Sequence, residues 1–178
     1  INEPEKRLKQ YPHELSGGMR QRVMIAMAII CKPKLLIADE PTTALDVTIQ
    51  AQVLDLMHKL KQDGALMMVT HNLGVVAELC EEIVVMYAGR VVERGTLTDI
   101  FDEPLHPYTQ GLMAAIPTLS SEKGELFPIP GTVPSASDFP KGCRFAPRCD
   151  RAKPECMHDV PPIKQVSAKH YVQCWLEV

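Results

Sequence analysis

Apolar positions change their period several times along the chain, and each change marks an element. An apolar helical pattern begins at Gly18 and runs through Val23 to Cys31, where Lys32-Pro33 closes it, because the residue before a proline is pushed out of the α region. A helix is therefore expected over 18–31. Leu35 to Asp39 is a short apolar run ending in acids and reads as a buried strand. Ile49, Val53, Leu56 and Leu60 recur at helical spacing, so 48–63 is expected to be an amphipathic helix with Gly64 as a left-handed stop. Strands are expected over 65–70, 82–88 and 91–94, a short helix over 73–79, and a tight turn at Ala88-Gly89-Arg90. A last helix is expected over 107–116, with Pro107 near its first turn and Pro117 as its stop. The repeated strand, helix, strand order predicts an α/β fold with a mostly parallel sheet. Cys31 and Cys80 lie inside apolar helical patterns and are expected in the core.

Composition divides the chain. Of 15 prolines, four lie in the first 103 positions and eleven from Pro104 onward, and this second part shows little periodicity beyond one short helix. With 178 residues, 46% apolar and 23% charged, the chain suits one domain or slightly more. The longest strongly apolar stretch, Val23 to Cys31, is far short of the about 20 residues of a membrane span, and no secretion signal opens the chain. A net charge of -3, with 22 acidic and 19 basic residues, provides no basic stripe for nucleic acid.

Candidate chemistry begins at Leu15-Ser16-Gly17-Gly18-Met19-Arg20-Gln21-Arg22, where a hydroxyl and two glycines precede a long helix. Serine can cap such a helix, glycines let backbone N–H groups approach a phosphate, and the helix dipole favours an anion there. Next comes Leu35-Leu36-Ile37-Ala38-Asp39-Glu40-Pro41, an apolar strand with two acids at its carboxyl end, where α/β sheets place ligand groups. An aspartate there can hold Mg²⁺ through water, and the following glutamate can orient an attacking water. Thr42 to Asp46 and Thr70-His71 complete the set.

These residues resemble the nucleotide-binding subunits of ATP-binding cassette transporters over positions 11 to 95. Ser16-Gly17-Gly18 with Leu15 resembles the signature motif, Asp39-Glu40 the end of Walker B, Ala44-Leu45-Asp46 the D-loop and His71 the switch histidine. The resemblance implies ATP and Mg²⁺ as ligands, Asp39 serving Mg²⁺, Glu40 as the catalytic carboxylate and His71 on the γ-phosphate. It also implies that Ser16, Gly17, Gly18 and Gln21 complete the nucleotide site of a partner subunit, with Asp46 at the dimer contact. Met19 replaces the commoner glutamine of the signature. Tyr11-Pro12-His13-Glu14 is either a membrane-subunit docking segment or a polar lead-in loop. No glycine is followed by lysine, so the chain has no Walker A loop. The expectation is thus a partial P-loop ATPase sheet, a fragment of a longer protein, without ATPase activity by itself.

Cys143, Cys149, Cys156 and Cys174 crowd the proline-rich part, at spacings of five, six and seventeen intervening residues. Structural zinc sites usually show closer pairs, and a reducing cytosol disfavours disulfides. Wider spacing in an irregular segment suits a [4Fe–4S] cluster, with Zn²⁺ and unmetallated thiols as alternatives. His106-Pro107-Tyr108-Thr109, Ile129-Pro130-Gly131-Thr132-Val133-Pro134 and the Gly-Cys to Arg-Cys block at 142–149 resemble the C-terminal extension of dipeptide/oligopeptide importer ATPases. That resemblance covers roughly 96–178 and implies an iron–sulfur cluster on the four cysteines, as a structural staple. His106 reads more simply as a capping and packing residue than as a ligand.

Two domains follow, a cassette portion over 1–95 and an irregular extension over 96–178. The resemblance implies an ATPase coupled to peptide import at the cytoplasmic face of the membrane. It further implies pairing with a second ATPase subunit, a heterodimer more readily than a homodimer, on two membrane permeases served by an extracytoplasmic peptide-binding protein. A DNA-repair or chromosome-maintenance ATPase and a non-catalytic metal-binding regulatory module are the alternatives.

Overall fold

The computed structural model describes residues 3–43, 45–116 and 128–176. They form two compact units, one ending at Leu79 and one beginning at Cys80, so the spatial division precedes the motif division at residue 95.

The first unit holds α1 (Pro4–Arg7), a 3₁₀ turn at Pro12–Glu14, α2 (Gly17–Ile29), β1 (Leu35–Asp39), α3 (Val47–Asp63), β2 (Ala65–Val69) and α4 (Leu73–Leu79). β1 and β2 pair in parallel, from Leu35 opposite Ala65 to Asp39 opposite Val69, with α3 in the crossover that such pairing requires. Of the expected stripe only Val53 is buried, Ile49, Leu56 and Leu60 being half-buried, while Leu54 and Met57 are buried beside it. Leu35, Ile37, Met67 and Val69, on the alternate positions of the two strands, are exposed. The first turn of α3 is fixed by Asp46, whose Oδ1 accepts the Ile49 N–H at 3.0 Å.

Two local expectations fail here. Gly64 is extended, with φ −171° and ψ −173°, and not a left-handed stop. The chain turns straight into β2, and a Cβ at Gly64 would stand 3.3 Å from the carbonyl oxygens of Pro33 and Lys34, which is why a side chain is disfavoured. α2 ends at Ile29, so Cys31 falls on the turn beyond it, beside Lys32 at φ 47°, and is exposed where a core position was expected.

The second unit contains β3 (Glu82–Tyr87), β4 (Arg90–Thr96), α5 (Leu97–Phe101), α6 (Pro107–Ala114), α7 (Glu155–His158), β5 (Ile163–Gln165) and β6 (Tyr171–Gln173). Its sheet is antiparallel in the order β3-β4-β6-β5. Among the described residues, parallel pairing is therefore limited to β1 and β2, against the expected mostly parallel sheet. The reason lies in Ala88 and Gly89, both at positive φ (48° and 77°), a two-residue turn that can only fold β4 back along β3. The proline-rich part is less irregular than expected, since β5 and β6 extend that sheet. Cys80, expected in the core, is half-buried. Helix α6 begins at Pro107 as expected, while its expected stop, Pro117, lies outside the described residues.

The core of this unit is Val85, Tyr87, Val92, Ile100 and Phe145. Tyr87 meets Tyr108 and Phe145 edge-on, with ring centroids 4.8 and 5.2 Å apart. Arg148 donates to the carbonyls of Ile129 and Pro130 at 2.9 Å, and Arg144 donates to the carbonyl of Ala88. The Gly-Cys to Arg-Cys block is thereby clipped onto both the Ile129-Pro130-Gly131 loop and the β3–β4 turn.

Candidate functional site

Asp39 and Glu40 stand where β1 ends, and His71 follows the end of β2, so parallel pairing alone sets the three side by side. His71 Nδ1 lies 2.7 Å from Glu40 Oε1, and the Thr43 hydroxyl donates to Oε2 at 2.7 Å. These two contacts, Thr43 first and His71 second, hold the Glu40 carboxyl below the ordinary carboxylate range. Glu40 takes φ 46°, a left-handed conformation that a glutamate rarely adopts, while its N–H donates to the Val69 carbonyl at 2.8 Å. The loop bearing His71 is pinned as well: the Thr70 hydroxyl accepts the Asn72 N–H, and the Asn72 side chain accepts the N–H groups of Gly74 and Val75 at the start of α4. Asp39 has no hydrogen bond or ion pair among the described residues, which leaves its carboxylate open to a cation.

Ser16 caps α2, accepting the Met19 N–H at 3.3 Å, with Gly17 and Gly18 as the first two helical residues. Gly17 has open space at its Cβ position, whereas a Cβ on Gly18 would stand 2.7 Å from Ile49 Cγ2. The second glycine thus permits α2 to approach α3 and the first leaves the helix end uncovered. Gln21 donates from Nε2 to the Pro41 carbonyl at 2.7 Å, tying α2 to the turn after the acids. Of the expected Ala44-Leu45-Asp46 segment, Ala44 lies outside the described residues, and Asp46 is the cap of α3.

In the second unit, Cys143, Cys149, Cys156 and Cys174 line one small cavity, partly open to solvent, together with His106 and Arg151. The Cys143 N–H donates to the Cys156 carbonyl at 2.8 Å, and the Lys153 N–H donates to Cys156 Sγ at 3.4 Å. Gly142 makes this crossing possible, since a Cβ there would meet the carbonyl oxygens of Cys156 and Asp159 at 2.4 and 2.6 Å. Burial, above all, pushes the thiols of Cys143 and Cys149 up, so loading a metal here must displace protons. Among the described residues no group of three or more His, Cys, Asp or Glu side chains is arranged to hold a single metal ion. His106 is buried and caps α6 through Nδ1, which accepts the Tyr108 N–H at 3.0 Å; burial lowers its pKa to about 4.

Residues 1–43 match the family model described as ABC transporter, and residues 92–156 match that of the oligopeptide/dipeptide transporter, C-terminal region. The oligopeptide transport ATP-binding protein OppD of Salmonella typhimurium is 53% identical over 178 residues, covering 99% of this chain and 53% of that protein. AppD of Bacillus subtilis, an oligopeptide transport ATP-binding protein, is 54% identical over 174 residues, covering 97% of this chain and 53% of its own length. The chain belongs to the oligopeptide/dipeptide ABC transporter ATP-binding family. It spans about half the length of the curated relatives it matches. A solved structure, the dimeric post-hydrolysis state of the ATP-binding cassette MJ0796 bound to ADP and Pi, overlaps 52% of this chain and 40% of that one at 34% identity and TM-score 0.47.

The first family model covers the helix cap and both strand-end acids; the second covers His106 and three of the four cysteines, Cys174 lying beyond it. Sequence reasoning about this family member missed Thr43 and Asn72 as supports of Glu40 and His71. It also missed Glu93, a buried acid within β4 that accepts the N–H groups of Leu105 and His106 at 2.8 and 2.9 Å and meets His170 Nε2 at 2.8 Å. An acid inside a strand, directly after two valines, was the available signal.

Proposed function

We propose that the chain is the part of a peptide-import ATPase subunit that carries its hydrolytic carboxylate and the face it offers to a second ATPase subunit. The observation that carries this is the Glu40–His71 contact of 2.7 Å across the ends of β1 and β2. In this reading Asp39 holds Mg²⁺ through water and Glu40, kept ionised by Thr43 and His71, orients the attacking water. His71 then faces the γ-phosphate, and Ser16 to Gly18 meet ATP bound by the other subunit, with Asp46 near the dimer contact. Gln21 positions that helix through Pro41. The partners are a second ATPase subunit, a heterodimer more readily than a homodimer, and two permeases at the cytoplasmic face, with a peptide-binding protein acting on the far side. With no Gly-Lys phosphate loop, the chain alone does not turn over ATP. The family matches lend nothing to a DNA-maintenance or purely regulatory role.

The 96–178 portion is read as an extension stapled by a [4Fe–4S] cluster on Cys143, Cys149, Cys156 and Cys174. All four line one cavity, and four thiols at wide spacing suit a multi-iron group better than Zn²⁺. When bound, such a group supplies four iron–thiolate links joining the 143–156 loop to the segment after β6.

The test replaces the matching stretch of Salmonella OppD with this chain and measures peptide uptake in cells lacking their own OppD. Uptake is expected, and Glu40→Gln and His71→Ala are each expected to abolish it. Uptake that survives both substitutions overturns the assigned roles. Anaerobically purified chain should be brown, with iron and acid-labile sulfide; colourless protein with stoichiometric zinc overturns the cluster.

A further inference from the structure

The turn after Glu40 is held by a side chain of α2. Gln21 donates from Nε2 to the Pro41 carbonyl at 2.7 Å, and because a carbonyl only accepts, the amide must present its N–H there. Pro41 and Thr42 are buried and Gln21 is half-buried, so water is a poor substitute for that donor. The turn is closed by the Thr43 N–H, which donates to the Glu40 carbonyl at 3.2 Å, and it carries the hydroxyl that donates to Glu40 Oε2 at 2.7 Å. Glu40 takes φ 46°, a conformation that a glutamate keeps only where its surroundings enforce it. One support comes from β2, where the Val69 carbonyl accepts the Glu40 N–H at 2.8 Å. Gln21 supplies another, from the far side of the turn. Family resemblance implies that Gln21 serves the nucleotide of a partner subunit, yet an N–H of its amide is committed within this chain.

We propose that Gln21 is a positioning residue for Glu40, its amide fixing the 40–43 turn through the Pro41 carbonyl so that the Thr43 hydroxyl meets the carboxylate. This rests on the hydrolytic reading above and deepens it. In this arrangement α2 carries the face for the partner's nucleotide at its start and, one turn further on, a strut for this chain's own carboxylate. A carboxylate that orients water acts in the transition state, so slackening the turn slows the chemical step and spares nucleotide affinity. Losing a ligand to the partner's nucleotide would weaken nucleotide binding first.

Gln21→Met keeps the length and helix preference of glutamine and removes the donor. It is placed in the OppD chimera of the uptake test, purified as the assembled transporter, and ATP hydrolysis is measured over a range of Mg·ATP concentrations. The kcat should fall about tenfold, with KM within about twofold of the parent chimera. Thr43→Val should lower kcat in the same way. The paired variant should be slower than the slower single variant by no more than about twofold, since both act on one contact. Gln21→Lys, which keeps a donor at similar reach, should recover part of the lost rate. Ile25→Val removes a buried methylene from the same helix without touching Pro41, and its kcat should stay within about twofold of the parent. A raised KM at unchanged kcat places Gln21 on the nucleotide and overturns the proposal, as do multiplied losses in the paired variant or a kcat that Gln21→Met leaves alone. If Gln21→Met does not assemble, Gln21→Lys is compared with Gln21→Glu, which lacks the donor: a faster Gln21→Lys supports the proposal and equal rates overturn it. A parent chimera without ATPase activity, or one whose activity survives Glu40→Gln, overturns the hydrolytic reading and this proposal with it; every other adverse outcome leaves that reading standing.

Discussion

Glu93 holds together three parts of the second unit, and its removal should be the most damaging single change there. Its carboxylate accepts from the N–H groups of Leu105 and His106 at the start of α6, and meets His170 Nε2 just before β6. The side chain is 0% exposed, and its contacts with His106 and His170 are buried while that with Leu105 is part-buried. Glu93→Ala strands all three, at about 1–3 kcal/mol for each buried unsatisfied group. Against that sum stands relief from the cost of burying the Glu93 side chain, which leaves a net loss of about 3–5 kcal/mol. We expect a loss in that range, a large share of the about 5–15 kcal/mol that holds a domain. Glu93→Gln keeps one acceptor oxygen but points an N–H at a donor, and should fall between. Trp175, the only tryptophan in the chain, lies in this unit, so urea unfolding followed by its fluorescence reads the relevant transition. With a slope of about 1–2 kcal/mol per molar urea, the Glu93→Ala midpoint should drop by roughly 2 M. A Glu93→Ala midpoint within a few tenths molar of wild type, at unchanged slope, would refute the reasoning.

Gly142→Ala drives a Cβ into the Cys156 and Asp159 carbonyl oxygens and should cost about 1–3 kcal/mol, whereas Gly17→Ala meets nothing and should stay within about 0.5 kcal/mol; urea melts of both decide. The Thr96 hydroxyl, then its backbone N–H, lowers the Asp99 pKa, so its contribution is present above the unfolded value of about 3.9 and is lost as pH falls through the folded value. Asp99→Ala should therefore lose about 1 kcal/mol at pH 7 and a shrinking amount below pH 4, and a gap independent of pH contradicts this. Thr43→Val removes the leading cause of the lowered Glu40 pKa, so a carboxyl titration by nuclear magnetic resonance should show it rising toward the ordinary glutamate value, and an unchanged value sinks the assignment.

Features that depend on neighbours along the chain are legible in residue order alone. The apolar run into Asp39-Glu40, the period of α3 and the Ala88-Gly89 turn each follow from residues within a few positions, and the structure contains all three. The resemblance of the motifs to peptide-importer ATPases has the same local origin. Less is legible where a residue's role belongs to a distant partner. Gly64 looks like a helix stop in sequence, but its close neighbours are the carbonyls of Pro33 and Lys34. Cys31 looks like core until α2 ends two residues before it.

Sequence by itself determined the chemistry available: two acids after a strand, a histidine after the next, a capped glycine pair before a helix, and four cysteines among prolines. Tertiary structure decided which of these meet. Parallel pairing of β1 with β2 brings His71 to Glu40, and the crossing at Gly142 helps bring the cysteines and His106 to one cavity. Glu93 meets His170 across 77 positions of chain, a contact that no local period encodes because it is made by packing. The short turn at Ala88-Gly89 set the sheet of the second unit against the expected parallel order, since a two-residue turn leaves no chain for a crossover.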